Sequence, residues 1–248
     1  MNESPFFLLM LTLTFLAAGL VKGVTGMGLP TVAMGLLGMG MAPAAAAAIL
    51  VMPSFVTNVW QLLGGPATAQ LLRRFWPMML AVVLGTVGSA GLLVRVDPLW
   101  SGLALGIALV VYAVYALVSP ALSIPSRIEP WLSPFVGLLT GVVTGATGVF
   151  VMPAVPYLQA LRLDKEELVQ ALGLSFTVST VALAAGLLAQ GGFRLDQLGL
   201  SALAIVPAWV GMALGQAIRT RISPRIFRRC FLSFLVPVSY THLTLPTS

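Results

Sequence analysis

Residues 18–30 read Ala18-Gly-Leu-Val-Lys22-Gly-Val-Thr25-Gly26-Met-Gly28-Leu-Pro30, and the behaviour of this stretch decides the fold. An apolar helix reaches a lysine, then a run rich in glycine, then a proline. Glycine and proline weaken or break a helix, so the backbone is expected to open here. Pro30 suits the first turn of a new helix, where its missing N–H would be unpaired anyway. A helix that stops and restarts at membrane depth is tolerated only inside protein or beside water. The pattern recurs as Gly141-Val-Val-Thr144-Gly145-Ala-Thr147-Gly148, followed by Pro153. Gly19, Gly23 and Gly26 match Gly141, Gly145 and Gly148 at one constant offset, the sign of an internal repeat.

Composition says which solvent surrounds these breaks. The chain of 248 residues is 58% hydrophobic and 8% charged, where a soluble domain carries about 25% charged residues. Apolar runs of roughly 20 residues, the length that crosses a bilayer, recur throughout. The fold class is therefore an all-α integral membrane protein, and the alternation that a β-barrel needs is absent. Glu3 replaces the basic start of a signal peptide, so the first apolar run reads as a retained span. The formal charge of +6 does not indicate nucleic acid, because the basic residues lie in short loops, where they set orientation. The single cysteine, Cys230, excludes an internal disulfide or a cysteine metal cluster. Residues 239–248, which hold the only histidine, His242, do not continue the preceding apolar run and read as a non-native tail.

The halves follow one plan. Residues 1–118 form a first repeat: an arm to Thr25, a half-helix from Pro30 to Met41, and spans over Pro43–Leu63, Phe75–Val94 and Leu99–Val118. Residues 119–130, with three prolines, are the linker. Residues 131–238 form the second repeat: an arm to Thr147, a short return over Val149–Leu161, spans over Leu168–Ala189 and Leu195–Ile218, and a final helix. The charged run Arg162–Glu167 must face water. Gly102/Gly106, Gly137/Gly141 and Gly211/Gly215 are small-xxx-small pairs that let helices approach closely.

Orientation separates two topologies. If each broken segment is a hairpin that returns to its side of entry, Arg73, Arg74, Arg127, Arg162, Lys165 and Arg219 to Arg229 share one side, and only Arg95 and Arg194 lie opposite. If the broken segments cross fully, that contrast weakens. Positive residues favour the cytoplasmic side, so the hairpins are preferred and the two halves are inverted. The first arm is nevertheless long enough to span alone.

Inverted repeats with broken helices near the midplane are a recurring transporter plan. Half-helix N-termini each carry roughly half a positive charge and free N–H groups, which suit an anion. The expected contacts are Gly26, Gly28, Gly145 and Gly148 through backbone, and Thr25, Thr144 and Thr147 through hydroxyls. Lys22 is the one full charge inside a span and has no carboxylate near it in sequence. It either snorkels to the interface or serves a site, and intramembrane charge favours the site. Asn58 and Gln61 share a helix face and serve either substrate or neighbouring helices. Ser175, Thr177, Ser179 and Thr180 either bond their own backbone or face a ligand.

At these residues the chain resembles the TauE/SafE sulfite-exporter family, also called the toluene-sulfonate uptake permease family. The resemblance rests on the paired glycine-rich breaks, the Ala171-Leu-Gly-Leu-Ser175 run and the two-times-four layout of segments. It implies a multi-pass carrier of the bacterial inner membrane for sulfite, thiosulfate or organosulfonates, working among membrane lipids without a cofactor, metal or nucleic-acid partner, with a homo-oligomer left open. Lys22 faces Thr144 in the repeat alignment, so the two halves of the site are not equivalent. An anion channel using the same dipoles is the alternative. An intramembrane enzyme is disfavoured, since the spans offer no His, Asp or Glu for acid–base chemistry.

Overall fold

A computed structural model describes residues 4–118 and 122–219. Among these the chain forms eleven helices and no strand: α1 (Pro5–Thr25), α2 (Leu29–Leu37), α3 (Pro43–Leu63), α4 (Thr68–Ser89), α5 (Gly91–Val94), α6 (Pro98–Val118), α7 (Glu129–Thr147), α8 (Ala154–Ala160), α9 (Lys165–Ala189), α10 (Leu195–Leu203) and α11 (Ile205–Arg219). Six stretches are long and apolar enough to cross a bilayer. The protein is an all-α integral membrane protein. The final helix and the 239–248 tail lie outside the described residues.

The breaks form where the glycines sit. α1 ends on Gly26, whose φ of 79° is left-handed and whose N–H donates to the Lys22 carbonyl at 2.7 Å. Gly28, at φ 100°, then starts α2 with Pro30 in its first turn. Both positions need a conformation that glycine adopts without strain. α7 ends in the same way on Gly148, at φ 73°. α1 is a full 21 residues, so it spans alone, and the return is carried by the nine residues of α2. The sequence placed the half-helix at 30–41; it stops four residues earlier, at Leu37, because a turn over Gly38–Gly40 intervenes.

Helix directions follow from which residues meet. The Gly26 carbonyl at the end of α1 accepts from Gln61 at the end of α3, so α1 and α3 run the same way and the chain returns between them through α2. α9 opposes α3, with Thr180 against Asn58 and Gly173 against Leu62. Along α4, α9 runs parallel, from Gln170 at Ala67 to Gly186 at Ala90. The hairpin topology therefore holds. Arg73, Arg74, Arg127, Arg162, Lys165 and Arg219 gather at one end, and Arg95 and Arg194 at the other.

The first helix of each half is zipped to a later helix of the other half. On α1, Gly19 and Gly23 face Ala208, Met212 and Gly215 of α11. On α7, Gly137, Gly141 and Gly145 face Met78, Val82 and Thr86 of α4. Gly211 meets Leu16 and Leu20, and Gly85 meets Leu138 and Val142, which are those residues' counterparts 122 positions on. Of the small-residue pairs read from sequence, Gly137/Gly141 and Gly211/Gly215 are close-packing surfaces, whereas a Cβ on Gly102 would meet nothing within 4 Å. Arg74 and Glu129 add a two-pronged ion pair at 2.6 and 2.8 Å between the basic ends of α4 and α7.

Candidate functional site

The repeat offset locates the centre of the molecule. Asn58 and Thr180 are 122 residues apart, the offset that relates Gly19 to Gly141, and their side chains are hydrogen-bonded at 3.1 Å. Equivalent positions of an inverted pair can touch only on the pseudo-twofold axis, so the axis passes through this contact. Thr180 lies 15 residues into α9, about 22 Å from its charged start at a rise of 1.5 Å per residue, which is deep within a bilayer.

Lys22 reaches this axis. Its side chain is 2% exposed, and Nζ donates to Thr57 Oγ1 at 3.1 Å and to Asn58 Oδ1. Hydrogen placement is then settled along the network. Thr57 donates its own proton to the Pro53 carbonyl at 2.7 Å, so it meets Lys22 as an acceptor. Asn58 Nδ2 donates to Thr180 Oγ1, which donates in turn to the Phe176 carbonyl at 2.7 Å. An ammonium has three donors, and two are used here. Lys22 does not snorkel to headgroups, and no carboxylate reaches it among the described residues.

Lys22 is also among the residues that line a cavity of about 650 Å³, which opens at the basic end. Lys22, Gly23, Gly26 and Gln61 line its depth, Trp60 and Met212 its apolar wall, and Lys165, Glu166, Arg219 and the Gly64–Pro66 turn its mouth. Gln61 Nε2 donates to the carbonyls of Gly26 and Val169, both at 2.9 Å, and so ties the α1 break to α9. Gln170 holds the mouth: Nε2 donates to the Leu62 and Gly65 carbonyls at 2.8 and 2.7 Å, and Oε1 accepts from Ala67 N at 3.0 Å. Replacing Gln170 with alanine removes this partner from the part-buried Gly65 carbonyl and Ala67 N–H, at about 1–3 kcal/mol, while the Leu62 carbonyl keeps Thr68 Oγ1. The expected result is a melting temperature lower by on the order of 5 °C in a thermal scan.

The sequence-derived site residues divide into two groups. Lys22, Gly26 and Asn58 come together at the cavity and the axis. Thr25 is near them but uses its hydroxyl on the Val21 and Met27 carbonyls, and Gly28 forms the αL turn into α2 against Val21. The second-half residues do not join them. Thr144 and Thr147 donate to their own helix at Thr140 and Val143, and Gly145 is pressed against Ser89 and Thr86. Gly148 packs on Met34 and Ala47 of the first half. Gly26 lies beside Gln61 and Gly148 beside Ala47, positions separated by 14 residues of α3, about 21 Å along its axis. The two breaks were expected to converge. They lie at opposite depths instead, because α1 and α7 are full-length arms that run in opposite directions. Ser175 is fully buried, and its hydroxyl has no partner among the described residues.

Sequence reasoning missed Thr57, and it left Gln61, Gln170 and Thr180 without a place in the site. The repeat offset held a usable signal, since adding it to Asn58 gives Thr180. Among the described residues no group of three or more His, Cys, Asp or Glu side chains could hold a metal ion.

The family model for "Sulfite exporter TauE/SafE" matches residues 11–241, nearly the whole chain. The chain belongs to this family. It is a family of membrane transporters, in keeping with the buried cation and the spanning helices. No curated protein and no solved structure matches the chain.

Proposed function

We propose that this TauE/SafE protein is a secondary transporter that carries a small sulfur-containing anion, such as sulfite, thiosulfate or an organosulfonate, across the bacterial inner membrane by alternating access. The observation that carries the reading is Lys22: a buried lysine with no carboxylate beside it among the described residues, lining a cavity that opens at the basic end. A cation in that position is stabilised by an anion from solution. Lys165 and Arg219 at the mouth draw anions in, and Glu166 is the one acidic residue beside them.

The described cavity fits one open state of a carrier. The cavity opens at the basic end, which the positive-inside rule makes cytoplasmic. At the equivalent place in the second half, Gly148 is covered by Met34, whose Sδ lies 3.2 Å from the position of a glycine Cβ. Alternating access exchanges these two arrangements between the inverted halves.

Reconstituted protein tests the reading. Sulfite or thiosulfate efflux from loaded proteoliposomes is expected to saturate with concentration, and ligand is expected to raise the melting temperature. Flux that rises linearly without saturation, together with single-channel currents, would replace the carrier by a channel.

A further inference from the structure

One helix contact is shut at the far end of the molecule, and its equivalent stands open at the basic end. At the far end the close of α4 lies hard against α9: a Cβ added to Gly186 would sit 2.6 Å from Ala90 Cβ and 3.7 Å from Val87 Cα. The counterparts of Gly186 and Ala90, 122 positions away, are Gly64 and Met212. These two line the same cavity. A Cβ on Gly64 would meet only the Gln61 and Trp60 carbonyls of its own helix, at 3.4 and 3.5 Å, and nothing of α11. α11 is nonetheless beside α3 at this point. Trp60 and Trp209 meet edge to face, with ring centroids 6.3 Å apart, one turn deeper than Gly64 and Met212. Both helices run on from there toward the basic end, so Gly64 and Met212 are the next residues to meet if the cavity closes.

The long helix pairs do not exchange in this way. Gly211 of α11 sits on Leu16 and Leu20, whereas the counterparts Leu138 and Val142 sit on Gly85, one turn short of Ser89, the counterpart of Gly211. In the seat of Gly211 a Cβ lies 2.1 Å from a backbone carbonyl oxygen, so Ser89 cannot take it and the two pairs keep different registers. α1 therefore moves with α11, and α7 with α4.

We propose that Gly64 and Gly186 are the seats of two gates that close in turn, the inner one by Met212 settling on Gly64 and the outer one by Ala90 settling on Gly186. The structure has the inner gate open and the outer gate shut. Each seat is glycine because the arriving helix needs the space that a Cβ would fill. Closing the inner gate swings α11, with α1, toward the end of α3, about the contacts that Lys22 makes with Thr57 and Asn58 at the axis. Opening the outer gate lifts α4, with α7, from α9. A side chain added at one seat therefore works against one state only. At Gly64 it finds room in the state described and none once Met212 arrives. At Gly186 the overlap is present already, and it drives Ala90 off. The proposal rests on the carrier reading above for its purpose.

The test pairs sulfite flux in proteoliposomes with the labelling rate of one cysteine on the cavity wall. Gln216→Cys supplies that cysteine in a full chain carrying Cys230→Ser, and a membrane-impermeant maleimide is applied from the basic end. Gly64→Val is expected to label faster than this parent, because valine is stiff at χ1 and keeps Met212 from its seat. Its flux should fall roughly 10- to 100-fold, the effect of overpacking one of two states, while sulfite still raises its melting temperature. Adding Met212→Ala to Gly64→Val makes room again and should restore part of the flux. Gly186→Ala should label more slowly than the parent; where that variant does not fold, Gly64→Val and its rescue decide. Parent labelling and parent flux in Gly64→Val overturn the inner seat. Flux lost without faster labelling and without rescue makes Gly64 a structural residue and overturns the proposal. Labelling that moves in opposite directions in the two variants, with no sulfite flux even in the parent, keeps the gates and removes the anion reading. Sulfite flux in the parent, with labelling unmoved in both variants, removes the gates and leaves the carrier standing.

Discussion

Lys22→Met is expected to abolish anion flux while leaving the melting temperature unchanged or raised. Methionine keeps most of the aliphatic stem, so the packing of α1 survives. The charge is lost at a buried, hydrogen-bonded position, where removing one partner of a charged contact costs about 2–5 kcal/mol of binding. That corresponds to a fall in anion affinity of roughly 30- to 4,000-fold. Stability moves the other way. Thr57 and Asn58 each lose a donor, at about 1–3 kcal/mol for an unpaired buried acceptor, but the larger cost of holding an uncompensated ammonium away from water disappears. The signs are the check. Proteoliposome flux and a thermal scan on the same preparation should diverge, and a variant that melts lower with unchanged flux would make Lys22 a structural residue.

Gly23→Val is expected to yield no folded, monodisperse protein. A Cβ at Gly23 would lie 2.9 Å from both Gly215 Cα and Gln216 N, and closer still to the Met212 carbonyl. All three are backbone atoms of α11, so no side-chain rotation relieves the overlap and the helices must separate. The cost belongs in the exceptional range, above about 4–5 kcal/mol. Gly102→Ala is the control, because its Cβ meets nothing within 4 Å. Exchanging glycine for alanine within a helix there is expected to stabilise α6 by about 0.5–1 kcal/mol. Size-exclusion profiles in detergent separate the two outcomes. A monodisperse Gly23→Val peak would show that α1 and α11 are not held at the described distance.

Elements bounded by local chemistry were legible in the sequence, and contacts between distant segments were not. α3 starts at Pro43 and ends at Leu63 as read, because a proline opens it and Gly64-Gly65-Pro66 closes it. The glycine breaks were legible for the same reason, since Gly26 and Gly148 take left-handed backbone that few other residues adopt. Lys22 announced itself by its charge. Its partners did not, because Thr57 and Asn58 are 35 and 36 residues away and sit on a helix whose rotation the sequence leaves open. The depth of the two breaks was misread because they were placed near the midplane, although the length of the first arm already allowed it to span alone, as α1 does. Pairs of small residues indicated helix contact without naming the partner, so Gly102 looked like Gly211 although only Gly211 touches a neighbouring backbone.

The interlocking of α1 with α11 has a consequence for biosynthesis. Gly19 and the Gly211 segment it packs beside are 192 residues apart in the chain. At roughly 5–20 residues per second, a ribosome needs about 10–40 s to bring the second into existence after the first. Throughout that interval α1 is in the membrane with its glycine face uncovered, and its lysine lacks Thr57 and Asn58 until α3 has also been inserted. The first half must therefore wait in the membrane, with that glycine face unpaired, until its partner helix has been made.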